Sequence, residues 1–155
     1  MKTNVKLDGI NQALDVIKML PSELQGKVSN DMLRAGARFA SRKVKRDAPK
    51  RTGGLQSSFK VRTSKKTKRP RAYLLTRKPH AHLIERGTAE RYTKKGYYRG
   101  RVLPNPFFSD AINNNRSGIR NSMTHIAIIR ANGVIERFAR GTPNKGERKA
   151  LNLKF

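Results

Sequence analysis

Ala48-Pro49-Lys50-Arg51-Thr52-Gly53-Gly54-Leu55-Gln56-Ser57-Ser58-Phe59-Lys60-Val61-Arg62-Thr63 is the stretch in which the chain changes period. Upstream of it, Leu24, Val28, Met32, Ala35 and Phe39 fall within ~80° of one another at 100° per residue, a core-facing helical stripe. Leu33, Ala37, Ala40 and Val44 fall on nearly the opposite side. A helix that is apolar on two sides in its second half needs cover on both, from sheet and another helix or from its own domain and a neighbouring subunit. Leu20-Pro21-Ser22-Glu23 starts this helix, because proline suits a first turn, and Ala48-Pro49 stops it after about Asp47. The glycine pair then permits backbone angles that other residues avoid and predicts a turn. Beyond the turn, Phe59, Val61 and Thr63 alternate with Lys60 and Arg62, a half-buried strand. Tyr73-Leu74-Leu75-Thr76 reads as its partner across a basic turn at residues 64–70, which makes a long hairpin with a cationic tip.

Further out the signals are weaker. Asn4-Val5-Lys6-Leu7-Asp8 alternates like a short edge strand, and Ile10, Leu14, Ile17 and Leu20 carry helical spacing. His80 to Arg86 makes one helical turn closed by Gly87. Residues 88–104 form a long loop that mixes Tyr92, Tyr97 and Tyr98 with Arg91, Lys94, Lys95, Arg99 and Arg101; such loops are functional, or become ordered on assembly. After Asn105-Pro106, a face of Phe108, Ala111, Ile112, Ile119, Met123 and Ile126 predicts a last helix. Asn113-Asn114-Asn115 and Gly118 weaken it, and Asn132-Gly133 is expected to end it before a short segment at 134–140. The expected fold is α+β: a long basic N-terminal helix packed on a small antiparallel sheet, with a C-terminal helix. Residues 1–140 are expected to form one domain, and 141–155 an extended tail whose Leu151, Leu153 and Phe155 alternate like a strand.

Composition narrows the function. The 155 residues, 35% hydrophobic, suffice for one modest core. Thirty-six basic residues against 10 acidic ones give a formal charge of +26, which repels itself in the compact chain and calls for an acidic or polyanionic partner. Eleven of the cations lie in residues 48–84, a segment that holds no acid. Lys27, Arg34, Arg38 and Lys45 align within ~40° as a basic ridge on the long helix. Lys65, Lys66, Lys68 and Arg69 crowd the hairpin tip, and the ridge, the tip and Tyr97 and Tyr98 are the candidates for meeting a partner or DNA. The absence of cysteine excludes disulfides, thiolate metal sites and thiol nucleophiles. No window approaches ~20 consecutive apolar residues, and no basic region followed by an apolar stretch opens the chain, so a soluble, unprocessed protein without a membrane partner is expected. His80, His82 and Glu85 have metal-like spacing, but no further strong ligand stands nearby. The ten acids do not pair as in two-carboxylate or two-metal sites, and no phosphate-binding glycine loop occurs, so neither an enzyme nor a cofactor is expected.

Three motifs in fixed order carry a resemblance. Ala48-Pro49-Lys50-Arg51-Thr52-Gly53-Gly54-Leu55, then His82-Leu83-Ile84-Glu85-Arg86-Gly87-Thr88, then Asn105-Pro106-Phe107-Phe108 resemble the signature of a phage tail-completion or neck family typified by gene product ten of phage HK97. The plan extends over roughly residues 5 to 130. Arg86 stands where the family usually has an aromatic residue, and the segment between residues 88 and 106 is longer than usual. The resemblance implies a virion protein of the head-tail joint, assembled in the host cytoplasm as a ring of about six copies. Its implied neighbours are the head-tail connector (adaptor or stopper) and the tail terminator or tail tube. Physical roles follow for the motif residues: Gly53 and Gly87 as backbone necessities, Thr52 and Thr88 as local caps, Glu85 as partner of Arg51 or another nearby cation. Phe107 and Phe108 would anchor the core, and Leu55 and Pro106 complete the structural motif.

Charge constrains how such a ring meets DNA. Six copies at +26 each carry about 156 charges, and duplex DNA at one charge per ~1.7 Å would need about 265 Å of length to neutralise them. No single ring is that tall, so most of the surplus is expected on acidic protein neighbours or the ring exterior, with non-specific, salt-sensitive contact to genomic DNA. The rival reading is a monomeric, non-specific nucleic-acid-binding protein, for which the charge and the Tyr-rich basic loop argue directly. A divergent nuclease would rest on His80, His82 and Glu85 alone.

Overall fold

The computed structural model describes residues 15, 17, 18, 20, 22–64 and 70–143. Its elements are α1 (Ser22–Asp47), α2 (Gly54–Ser58), β1 (Lys60–Thr63), β2 (Ala72–Leu75), α3 (Ala81–Arg86), α4 (Phe107–Asn113) and α5 (Arg116–Ala139). The two strands pair as an antiparallel hairpin, so the fold is the expected α+β. The expected edge strand at residues 4–8, the tip cations Lys65, Lys66, Lys68 and Arg69, and the alternating end of the tail lie outside the described residues. Residues 15, 17 and 18 are helical, in keeping with the spacing that runs through Ile17 and Leu20.

The described residues divide into two compact units, one holding those up to 39, between 62 and 73 and from 117 onward, the other holding 40–61 and 74–116. Instead of one core there are two buried clusters. In the first unit Ile17, Leu20, Leu24 and Val28 pack with Ala127, Ala131 and Val134. The α5 side of this cluster is two alanines and a valine, which permits close helix packing. Two notches extend the contact. A Cβ on Gly36 would stand 2.5 Å from Met123 Cγ, and one on Gly118 would stand 2.6 Å from Phe39 Cζ. Each helix thus inserts a large side chain where the other has none. Gly118, expected to weaken the last helix, is instead the seat of Phe39.

The second unit buries Val44, Ala48, Phe59, Phe107 and Ala111, with Leu55, Leu74, Ile84, Phe108 and Ile112 against them. Phe59 packs edge-on to Phe107 at 6.2 Å and stacks on Phe108 at 6.1 Å, both favourable aromatic geometries. The two apolar sides of α1 each supply residues to a core. Leu24 and Val28 enter the first core and Val44 the second.

Other boundaries moved for local reasons. The turn at Gly53-Gly54 leads into one short helix before the strand, so β1 begins at Lys60, with Phe59 as the extended residue that ends α2. The last helix breaks at Asn114-Asn115. There the Asn115 side-chain amide donates to the Ala111 carbonyl at 2.9 Å, taking the acceptor that a continuing helix would use. The helix does not stop at Asn132-Gly133 and runs to Ala139. A mid-helix glycine costs about 1 kcal/mol, and burial of Ala131 and Val134 on either side offsets it, at roughly 0.8 kcal/mol per buried CH₂.

Candidate interaction surfaces

The motif residues converge on a clasp in the second unit. Helix α4 starts at Pro106, a cap residue whose side chain has no acceptor. Its open amides are satisfied from α3 instead. The backbone N–H groups of Phe108 and Ser109 donate to the two Glu85 carboxylate oxygens at 2.9 Å each, and the Ser109 hydroxyl donates to Oε1 at 2.6 Å. Asn105 N–H donates to the Ile84 carbonyl at 2.9 Å, so α3 holds the entry to α4 by main chain as well. Burial pushes the Glu85 carboxyl up, yet the Ser109 hydroxyl, the two amides and the field of Arg86 outweigh it and hold the group below the usual carboxylate range. Glu85, expected to partner Arg51 or another nearby cation, bonds a helix N-terminus, and the nearby cation whose field adds to this is Arg86. A carboxylate at the positive end of a helix dipole is favourable in its own right.

Gly87 is pinned by two independent constraints. Its φ is +75°, and a Cβ there would stand 2.8 Å from the Val102 carbonyl oxygen and 2.9 Å from Pro104 N. It closes α3 with an extended ψ of −175°, which sends the chain directly into residue 88. Thr88, expected as a local cap, instead pairs with a residue 14 positions on: its hydroxyl accepts from Val102 N–H at 3.0 Å while its own N–H donates to Val102 O at 2.9 Å. Gly53 takes the cap position of α2 at φ +68°, with no side-chain hydrogen bond there, so the capping role expected of Thr52 is not filled. Leu55 packs on the second core, Phe107 is buried within it, and Arg51 is exposed.

Beside the clasp lies a groove of about 590 Å³ lined by Phe59, Leu74, Leu75, His82, Glu85 and Phe108, among others. Its polar side chains are Thr76, His82, Arg86, Ser109 and Glu85, the last two already bonded to each other in the clasp. Among the described residues no three His, Cys, Asp or Glu side chains are grouped to hold a metal.

Residues 88–102, read as a structureless loop, form a hydrogen-bonded ribbon. Arg91 N–H donates to Gly100 O, Arg99 N–H to Arg91 O and Thr93 N–H to Tyr97 O, at 3.2, 2.6 and 2.8 Å. Thr93 closes the turn, its carbonyl accepting from Gly96 N–H and its hydroxyl from Tyr97 N–H. Gly96 and Gly100 take positive φ at the turn and near the cross-strand pair Tyr92–Tyr98, whose rings lie 5.5 Å apart. The sequence carried a signal for this ribbon, Thr93-Lys94-Lys95-Gly96 between tyrosines, but so few residues of strand look like loop. On α1, Lys27, Arg34 and Arg38 are exposed as the ridge requires, and Lys45 is half-buried.

Residues 11–87 match a family model described as "Bacteriophage HK97-gp10, putative tail-component". The chain belongs to the HK97-gp10-like family. The match runs through α1, the hairpin and α3 and ends on Gly87, so it holds the first motif and all of the second but Thr88, while the ribbon, α4 and α5 lie beyond it. Glu85, inside the matched stretch of this HK97-gp10-like chain, is what caps the Pro106-Phe107 helix outside it. The family is one of bacteriophage tail components. No curated protein and no solved structure matches the chain. Among the described residues no helix is long and apolar enough to cross a membrane.

Proposed function

We propose that this HK97-gp10-like chain completes the tail at the head-tail interface. About six copies close as a ring around the DNA channel, between the connector with its adaptor or stopper and the tail terminator or tube. The match over residues 11–87 carries the reading. Charge supports it: with +26 per copy, the protein needs neighbours that neutralise it, and assembly in the host cytoplasm onto acidic virion proteins supplies them. The chain carries no reaction and needs no cofactor; its side chains cap, pack and present charge. Removing the gene should leave heads and tails unjoined in electron micrographs, and mass spectrometry should find about six copies in finished particles. Joined, infectious particles that lack the chain would overturn the reading.

One observation favours the rival. Tyr97 and Tyr98 stand exposed among Arg91, Lys94, Lys95, Arg99 and Arg101, as on a nucleic-acid-binding surface. Under the tail reading, affinity for duplex DNA is non-specific and falls steeply with salt. A tight monomeric complex with DNA that survives physiological salt would favour the rival.

A further inference from the structure

We infer that the ribbon at residues 88–102 is a docking arm for an acidic surface, with an apolar centre, on a different protein. This rests on the tail-component reading only for where that protein is sought. The ribbon is ordered by its own backbone bonds, so the exposure of its rings is built in: Tyr97 is 70% exposed, Tyr98 58%, Tyr92 57%, and Leu103 just beyond is 66% exposed. Tyrosine and arginine are the side chains enriched where proteins meet, because they bury large rigid area at small conformational cost. Five cations stand in these residues against one carboxylate, Glu90, and that one accepts from the Tyr92 hydroxyl at 2.9 Å. The arm therefore offers net positive charge around an apolar patch.

Three occupants compete, and the chemistry separates them. Duplex DNA would answer the cations but offers no apolar cover for Leu103 and the Tyr97 ring, since stacking needs unpaired bases. A second copy of this chain, with 10 acids against 36 cations, offers the arm's five cations few carboxylates, whatever other faces join copies in a ring. An acidic protein surface answers both the charge and the rings, with the cations steering the encounter and the tyrosines supplying buried area.

The test replaces Tyr97 with photoreactive p-benzoylphenylalanine in the full chain, expressed in phage-producing cells, and identifies cross-linked products by mass spectrometry. The expected product joins the chain to another phage protein at a carboxylate-rich surface. Its yield should fall at least about tenfold with Lys94→Glu and Lys95→Glu together and be retained with Lys94→Arg and Lys95→Arg, because a charged rim governs encounter. Cross-links to DNA, to another copy, or to nothing overturn the inference, as does a yield indifferent to charge reversal. The tail reading is judged separately, by whether finished particles contain the chain. A cross-linked acidic partner in cells whose particles lack the chain would keep the docking arm and discard the tail assignment.

Discussion

The clasp around Glu85 and the ribbon that follows it lie on either side of Gly87 in sequence, and they use polar groups in contrary ways. At the clasp, a carboxylate, a hydroxyl and two backbone amides satisfy one another above an aromatic core of Phe59, Phe107 and Phe108. In the ribbon the backbone bonds to itself and to the hydroxyls of Thr88 and Thr93, while the tyrosines and the cations stand exposed. The motif residues carry the first region and few of them the second. Motif residues here hold the scaffold, and the proposed docking surface is built from residues outside the motifs, where loops ordinarily carry function.

The contrast can be broken hardest at Phe107. Replacing it with alanine empties a site that is 4% exposed and should lower stability by about 3–5 kcal/mol, read from urea unfolding. Loss of less than 1 kcal/mol would mean that the aromatic cluster is not the core of its unit. Gly87→Ala comes next, at about 2–4 kcal/mol, because it adds left-handed strain and a clash with Val102 and Pro104. Gly53→Ala has nearly the same φ but nothing within 4 Å of the added atom, so only the strain remains, about 1–2 kcal/mol. Equal losses at the two glycines would show that the close approach at Gly87 contributes nothing.

Glu85→Gln should lower stability by about 1–2 kcal/mol near neutral pH, the range of a lost helix cap. The sign with pH follows from the lowered pKa. A carboxyl whose folded value lies below its unfolded value of 4.5 stabilises the fold fully above 4.5, and that contribution is lost as the pH falls through the folded value. Wild type and variant should therefore converge in strong acid, and a gap that persists there would rule out the charged cap. Smallest of all, Tyr97→Ser should change unfolding stability by no more than about 0.5 kcal/mol, since an exposed ring without a packing partner stabilises little. A larger loss would make the ring part of the fold and weaken its reading as a docking residue.

Much of the scaffold was legible in the linear chain because its signals are local. The stripe Leu24, Val28, Met32 and the stop at Ala48-Pro49 mark α1, and the alternation of Phe59, Val61 and Thr63 marks the hairpin. The positive φ at Gly53 and Gly87 was expected from their places beside a turn and at a helix end. Less legible was what satisfies each group. Glu85 looked like a partner for Arg51 or another nearby cation because a lone acid in a basic segment invites one; Arg86 adds its field, yet the bonds go to amides 23 and 24 residues away. Gly118 looked like a weakness because propensity counts backbone entropy alone, while Phe39 fills the space that its missing side chain leaves.

Residue order by itself determined the helix and strand periods, the turn glycines, the charge of +26 and the family to which residues 11–87 belong. Only the folded chain decided that the apolar residues split into two cores, that a glutamate on one helix caps another, and that residues 88–102 zip into a ribbon with its rings outward. The division follows from range. Periodicity, turn propensity and net charge are properties of neighbours in sequence, whereas caps, notches and cross-strand pairs depend on which distant groups arrive within hydrogen-bonding or packing distance.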